Sequence, residues 1–262
     1  MRSNSRVTRP GWRQERVEPR HAMNTLAGIH PVLEALKSGR PVDHVLVARG
    51  AGGPRLQEII ELARSASVPV RFEPRDALDR LARDSVHQGV LAVAAARRFA
   101  SLEDVASGAG MLVVLDGVED PHNLGAVIRT AHAAGAKAVV IPERRAAGLT
   151  EAVAKAAAGA LEYLPVVRAG NLNRALETLK ERHYWIYGLD ERGEHAYDRV
   201  DYASHAALVL GREGGGLHAQ VKQHCDFLVR IPMAGRIPSL NVSVAAGVVL
   251  FEWKRRLAGG AS

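Results

Sequence analysis

Apolar residues follow two rhythms along this chain, a helical spacing and short continuous runs, and they alternate twice over. Over residues 27–40 the apolar positions recur at helical spacing and stop at Gly39. DHVLVA, residues 43–48, has the length and β-branched content of a strand. An amphipathic helix over 54–67 opens on Pro54, which a first helical turn tolerates. A strand at 68–73, a helix at 75–83 and a strand at 89–95 complete a small α/β unit. Residues 97–110, RRFASLEDVASGAG, are polar and end in small side chains, as a connection does. The alternation then restarts. Strands are expected at 111–116, 137–142, 165–168, 184–189, 205–211 and 225–232, with helices at 124–135, 150–164, 171–182 and 240–257. Strands alternating with helices predict a mostly parallel sheet covered on both faces. The expected organisation is a tail over 1–22, a small α/β domain over 23–97, a linker over 98–110 and a larger α/β domain over 111–262.

Composition narrows the picture. With 262 residues, 47% of them hydrophobic but only 5% aromatic, the core must be built from Ala, Val and Leu, which suits helices packed closely on a sheet. Cys225 is the single cysteine, so an internal disulfide and cysteine-based zinc or iron–sulfur sites are excluded, no metal is expected, and a reducing, cytoplasmic setting fits. No apolar run reaches the ~20 residues that would span a bilayer, so no membrane partner is expected. Of the net charge of +7, residues 1–22 carry six Arg and two Glu, hence +4, on a segment too polar to fold alone. That tail reads either as an arm for nucleic-acid phosphate or as a solvated extension.

Three unusual stretches each follow an apolar strand: DPHNLGAVIRTA after 111–116, GREGGGL after 205–210, and IPMAGRIPSLN at the end of 225–232. In parallel sheets ligands bind beyond the carboxyl ends of the strands. Gly211, Gly214, Gly215 and Gly216 allow a backbone to approach a ligand closely, yet they lack the Lys-Ser/Thr of a phosphate-binding loop and do not follow a first strand as a dinucleotide fingerprint does. They suit a nucleotide-type pocket of another design, or a flexible turn. Asn123 is placed to cap a helix starting near Leu124, and Arg129, among small residues, suits either a solvated face or RNA phosphate. His122 offers a general base or a structural loop residue. Ser239 and Asn241 stand at the entrance of the last helix, where capping alone would use them.

NLGAVIRTA, LVLGREGGGL and IPMAGRIPSLNVSVAAGVVLFEW, in this order, resemble the three motifs of the SpoU or TrmH (SPOUT) family of RNA ribose 2′-O-methyltransferases, and AGIHPVLEAL with HQGVLAVAA resembles the substrate-binding domain joined to them. The resemblance is nearest to members that modify a guanosine of 23S ribosomal RNA. It implies a deep trefoil knot at the carboxyl end, S-adenosylmethionine as cofactor, 23S rRNA or a ribosome precursor as partner, and a homodimer. By motif position it assigns Leu210, Gly211, Ile231, Met233 and Leu240 to the cofactor cleft. It assigns Arg129, Asn123, Glu213, Ser239 and Asn241 to catalysis: Arg129 holds phosphate and steadies the ribose oxygen, Asn123 orients the ribose or Arg129, Glu213 fixes Arg129 or the motif backbone, and Ser239 with Asn241 positions the nucleotide. Methylation of transfer RNA, an antibiotic-resistance methyltransferase and a non-catalytic RNA-binding or ribosome-assembly factor are the alternatives.

Overall fold

The computed structural model describes residues 23–259 apart from Asp84, Arg145, Glu213, Ile237 and Pro238; the basic segment 1–22 lies outside the described residues. The first unit runs β1 (Met23–Ala27), α1 (Ile29–Lys37), β2 (Val42–Ala48), α2 (Pro54–Ser65), β3 (Val70–Glu73), α3 (Arg75–Ala82) and β4 (Val90–Ala95). Its sheet has the order β1-β4-β2-β3, with β4 antiparallel to β1 and β2, and β3 parallel to β2. β1 is absent from the sequence expectation because five residues without a period carry no signal of their own; pairing with β4 makes them a strand. Val45, Val47 and Ala92 pack under Val32, Leu36, Ile59 and Ala63 of α1 and α2, while Leu46 and Leu91 meet Leu78 and Ala82 of α3 on the opposite face. Residues 87–89, His-Gln-Gly, clasp this unit. Buried His87 pairs with Asp79 at 2.9 Å and its Nδ1 accepts from the Gly89 N–H, while Gln88 Oε1 accepts from the Ile29 N–H at the uncapped start of α1.

The larger unit runs α4 (Leu102–Val105), β5 (Gly110–Asp116), α5 (Pro121–Ala134), β6 (Ala138–Pro142), α6 (Glu151–Ala157), β7 (Val166–Ala169), α7 (Leu172–Glu181), β8 (Trp185–Leu189), β9 (His195–Ala196), β10 (His205–Gly211), α8 (Ala219–His224), β11 (Phe227–Arg230) and α9 (Val242–Gly259). The seven strands are all parallel, in the order β7-β6-β5-β10-β8-β11-β9. Alternate residues explain the layers. Met111, Val113, Leu115, Leu208 and Leu210 face α5, α6 and α9; Leu112, Val114, Ala207 and Val209 face α7 and α8. On α9 the buried positions Val242, Ala245, Ala246, Val249, Leu250 and Trp253 follow the 3.6-residue period. Gly125 lets α5 meet α6 closely, since a Cβ there would stand 2.4 Å from that of Ala156. Among the described residues no helix is long and apolar enough to cross a membrane.

Two expectations are corrected. Residues 97–110 are more than a connection: Ala100 bridges to Val167, Ser101 caps α4 through the Asp104 N–H, and Val105 and Ala106 are buried on the large sheet. The helix expected over 150–164 stops at Ala157, because Ala158 and Gly159 turn to φ 48° and 90°. Gly159 is required there by proximity as well, since its Cβ would stand 2.7 Å from Cγ of Glu34 in the small unit.

That break brings Glu162 to the seam between the units. Its side chain is 4% exposed and takes Arg40 at 3.2 Å and Arg97, both from the small unit. Arg40 also donates through Nε and Nη2 to the Ala95 carbonyl, and Tyr163 Oη donates to Glu34 at 2.8 Å. Burial, then the neighbouring Arg97, pulls the Arg40 pKa down, against the pull of Glu162. Removing the carboxylate leaves two half-dry guanidiniums facing each other. Glu162→Gln is therefore expected to cost about 3 kcal/mol and to open residues 96–101 to protease. An unchanged denaturation midpoint with an unchanged cleavage pattern would contradict this role.

Candidate active site

Because β5, β8, β10 and β11 are parallel and adjacent or nearly so, the loops leaving their carboxyl ends share one edge of the sheet. Residues 189–192, 210–212 and 214–216, with Ile231, Met233, Ser239, Leu240 and Val242, enclose a cavity of about 530 Å³ there. Its apolar wall holds Leu189, Leu210, Ile231, Met233, Leu240, Val242 and Ala245; its polar side holds Asp190, Glu191, Arg192, Arg212, Lys222 and Ser239; Gly211 and Gly214 to Gly216 form the remaining side. All five residues expected at a cofactor cleft, Leu210, Gly211, Ile231, Met233 and Leu240, thus stand around one cavity, and Ser239 joins them. Met233 and Leu240 remain 40% and 37% exposed, leaving apolar surface uncovered at its rim. The volume falls in the range of sites for molecules of cofactor size, ~300–1,000 Å³.

Glycine is needed at 211 for a reason of space. A Cβ there would stand 2.2 Å from the carbonyl carbon of Gly216, where the loop folds back on its own start. The Gly216 N–H closes that turn on the Arg212 carbonyl at 3.1 Å, with Gly214 and Gly216 at φ 71° and 60°. A side chain at 211 would force the loop open.

Two buried carboxylates hold this loop and α8 from behind. Asp116, the last residue of β5, is 5% exposed and accepts the His218 N–H at 2.7 Å, with His218 Nδ1 at 2.8 Å from its other oxygen. Asp190, just beyond β8, is 6% exposed, pairs with Lys222 of α8 and accepts the Arg192 N–H at 3.0 Å. Burial raises its pKa, but the Lys222 ammonium and the Arg192 N–H outweigh that and hold it below the usual carboxylate range. The two strands flanking β10 therefore each fasten the segment that follows it. None of Asp116, Asp190, His218 and Lys222 was expected from sequence. Each aspartate does end an apolar strand run, a visible signal, but its partner lies 102 or 32 positions away, as His218 and Lys222 show.

The expected catalytic residues divide. Asn123 is not the cap of α5: the helix starts at Pro121 and Asp120 caps it through the His122 N–H at 3.0 Å, because Pro121 has no N–H to satisfy and shifts the start three residues earlier. Asn123 instead is buried in the first turn, where its Oδ1 accepts from Asn241 Nδ2 at 2.8 Å. Asn241 Oδ1 also accepts from the Ser243 N–H and Oγ, so one amide caps α9 and ties it to α5. Arg129 is exposed two turns along α5, makes no ion pair among the described residues, and is not on the cavity wall. His122 is exposed as well. Glu213 lies outside the described residues.

Comparison with known proteins bears on this site. The SpoU rRNA Methylase family model matches residues 110–251, and the model for RNA 2′-O ribose methyltransferase substrate binding matches residues 25–100. The 23S rRNA (guanosine-2′-O-)-methyltransferase RlmB of Xylella fastidiosa is 44% identical over 238 residues, 88% of this chain and 96% of its own. YacO of Bacillus subtilis, which carries a TrmH family tRNA/rRNA methyltransferase name, is 43% identical over 235 residues, 87% of this chain and 94% of its own. The crystal structure of the SpoU methyltransferase AviRb from Streptomyces viridochromogenes in complex with AdoMet superposes with a TM-score of 0.78 at 26% identity, covering 91% of this chain and 92% of that one. Two matched models in register with the two sheets, and relatives similar over nearly their full length, place this chain in the SpoU (TrmH) family of RNA methyltransferases.

Proposed function

We propose that this protein uses S-adenosylmethionine to methylate a ribose 2′-hydroxyl of RNA, at a guanosine of 23S ribosomal RNA. The observation that carries the reading is the single cavity around which Leu210, Gly211, Ile231, Met233 and Leu240 stand. Its fit to the cofactor is chemical: apolar side chains for a planar adenine, glycine backbone for close hydrogen bonding, and a polar side for the hydroxyls and amino-acid end. The guanosine assignment leans on the RlmB relative and on the substrate-binding unit at residues 25–100.

S-adenosylmethionine, when bound, supplies a methyl group made electrophilic by its sulfonium. The residues of this chain align the acceptor, exclude water and stabilise charge. Arg129 is not the base, since a guanidinium does not give up its proton in the neutral range where such an enzyme works. It grips the phosphate beside the target ribose and stabilises negative charge growing on the 2′-oxygen. The Asn123–Asn241 bond keeps α5, which carries Arg129, locked to the segment 239–241 that walls the cavity. Ser239 positions the nucleotide at that wall, and Glu213 orients Arg129 or the loop backbone. Threading the carboxyl-terminal segment through an earlier loop, as a trefoil knot, keeps those walls together.

The protein acts as a homodimer in the cytoplasm. α9 turns Val244 and Phe251, 52% and 48% exposed, away from its buried stripe, and a second copy covers them. Arg129, exposed and off the wall of its own cavity, then serves the partner's cofactor.

Arg129→Ala is expected to reduce methylation of ribosomal RNA by at least about a hundredfold, the scale of losing one transition-state donor, while S-adenosylmethionine binding by calorimetry stays within a few-fold. Near-normal turnover would remove Arg129 from the mechanism. Asp190→Asn keeps the bond to the Arg192 N–H but leaves Lys222 without its counter-charge. It should weaken S-adenosylmethionine binding roughly tenfold, about 1.4 kcal/mol, with little change in turnover at saturating cofactor. Wild-type affinity would show that the strap does not shape the cavity.

A further inference from the structure

The small unit has a chemically distinct end. β2 and β3 both finish there, β4 begins there, and three loops meet: the Ala48 N–H bonds to Gly89, the Arg49 N–H to Glu73, and the Gly28 N–H to Val90. Arg49 follows β2, Arg55 and Arg75 stand in the first turns of α2 and α3 at this end, all are exposed, and none forms an ion pair among the described residues. Of the described carboxylates close by, Asp76 is engaged by Arg80 at 2.8 Å and Asp79 by His87 at 2.9 Å, which leaves Glu73, among the described residues, against three guanidiniums. On the edge strand β3, Phe72 is 49% exposed, and Arg49 Nε donates to its backbone carbonyl at 3.3 Å, which holds the Arg49 side chain against the same strand. Gly52, in the loop between Arg49 and Arg55, has no positive φ and nothing within 4 Å of a would-be Cβ, so neither backbone nor packing accounts for it. A low backbone of this kind lets a partner come close.

The same end lies on the side of the catalytic loops. Ser85, shortly before β4, donates to Glu151 of the large unit, and Glu151 opens α6, which follows β6 in the chain.

We propose that the Arg49, Arg55, Arg75 and Phe72 surface seats an unpaired stretch of the RNA substrate, its phosphates on the three guanidiniums and one unstacked base on the Phe72 ring. The inference rests on the RNA-methyltransferase reading above. A polyanion answers the unbalanced charge, and an exposed aromatic beside arginine is the means by which proteins hold a base splayed from a loop or bulge. Shape readout of a continuous duplex would need the charge but leave Phe72 unexplained.

The test uses the full chain with transcripts of large-subunit ribosomal RNA and, separately, total transfer RNA. Wild type, Arg49→Gln with Arg55→Gln and Arg75→Gln combined, Phe72→Ala and Phe72→Tyr are compared for RNA affinity across a salt series and for S-adenosylmethionine binding. The triple variant should flatten the slope of log K against log salt by about 2, since each phosphate contact on single strands contributes ~0.7. Phe72→Ala should weaken RNA binding roughly tenfold at every salt, the loss of one stacked base, and Phe72→Tyr should restore it. Cofactor binding should stay at the wild-type value in all of them. If wild type binds and methylates RNA but the variants match it in affinity and slope, this surface is not the RNA seat, as would hold if it served a protein partner. If the triple variant is weakened and Phe72→Ala is not, the stacking assignment falls. Failure of wild type itself to bind either RNA would instead refute the reading of the active site.

Discussion

The cavity exists because the loop after β10 is held shut. Gly211 and Gly216 touch backbone to backbone, a contact that no side chain at 211 would permit, and the turn between them is bought with two left-handed glycines. A loop that tight and that short of side chains has little apolar burial of its own. Asp116 and Asp190 provide what it lacks. They stand at the ends of the two strands that flank β10, and each reaches a positively charged or hydrogen-bonding group on the segment that β10 leads into. Both carboxylates are more than nine-tenths buried, so neither can be released without leaving a dry charge behind.

The same logic of a buried carboxylate joining separate elements recurs at the seam. Glu162 holds Arg40 and Arg97 of the small unit, and the helix break at Ala158 and Gly159 is what delivers it there. The small unit is thereby set in one orientation to the catalytic edge, with Ser85 against Glu151 as a second tether. For an RNA methyltransferase, a fixed angle between the unit that matches the substrate-binding model and the cavity shortens the search for alignment. The Asn123–Asn241 bond does at short range what the seam does at long range, since it sets the helix bearing Arg129 against the wall of the cavity.

Much of this was legible in the residues. The strand and helix alternation follows from apolar runs such as residues 111–116 and 205–210, which are buried on both faces and so need no alternating polar positions. The three polar stretches at strand ends pointed to one edge of one sheet, and the family motifs assigned cofactor residues that the structure gathers around one cavity. The places where local reading failed are places where distant residues intervene. β1 is a strand only because β4 pairs with it, residues 97–110 fold only because the large sheet receives Val105 and Ala106, and the helix after Thr150 breaks where Glu34 presses on Gly159.

By itself, then, the amino-acid order determined the kinds of element, the parallel class of the sheet and the edge where chemistry would gather, since all three depend on periodicity and on which residues follow a strand. Only the tertiary structure decided that Asn123 serves Asn241 rather than a cap, that Asp116 and Asp190 fasten the glycine loop, and that Glu162 joins the two units. Each of these is a pairing of groups between 32 and 122 positions apart, and a one-dimensional pattern carries a residue's polarity but not the partner that makes its burial tolerable.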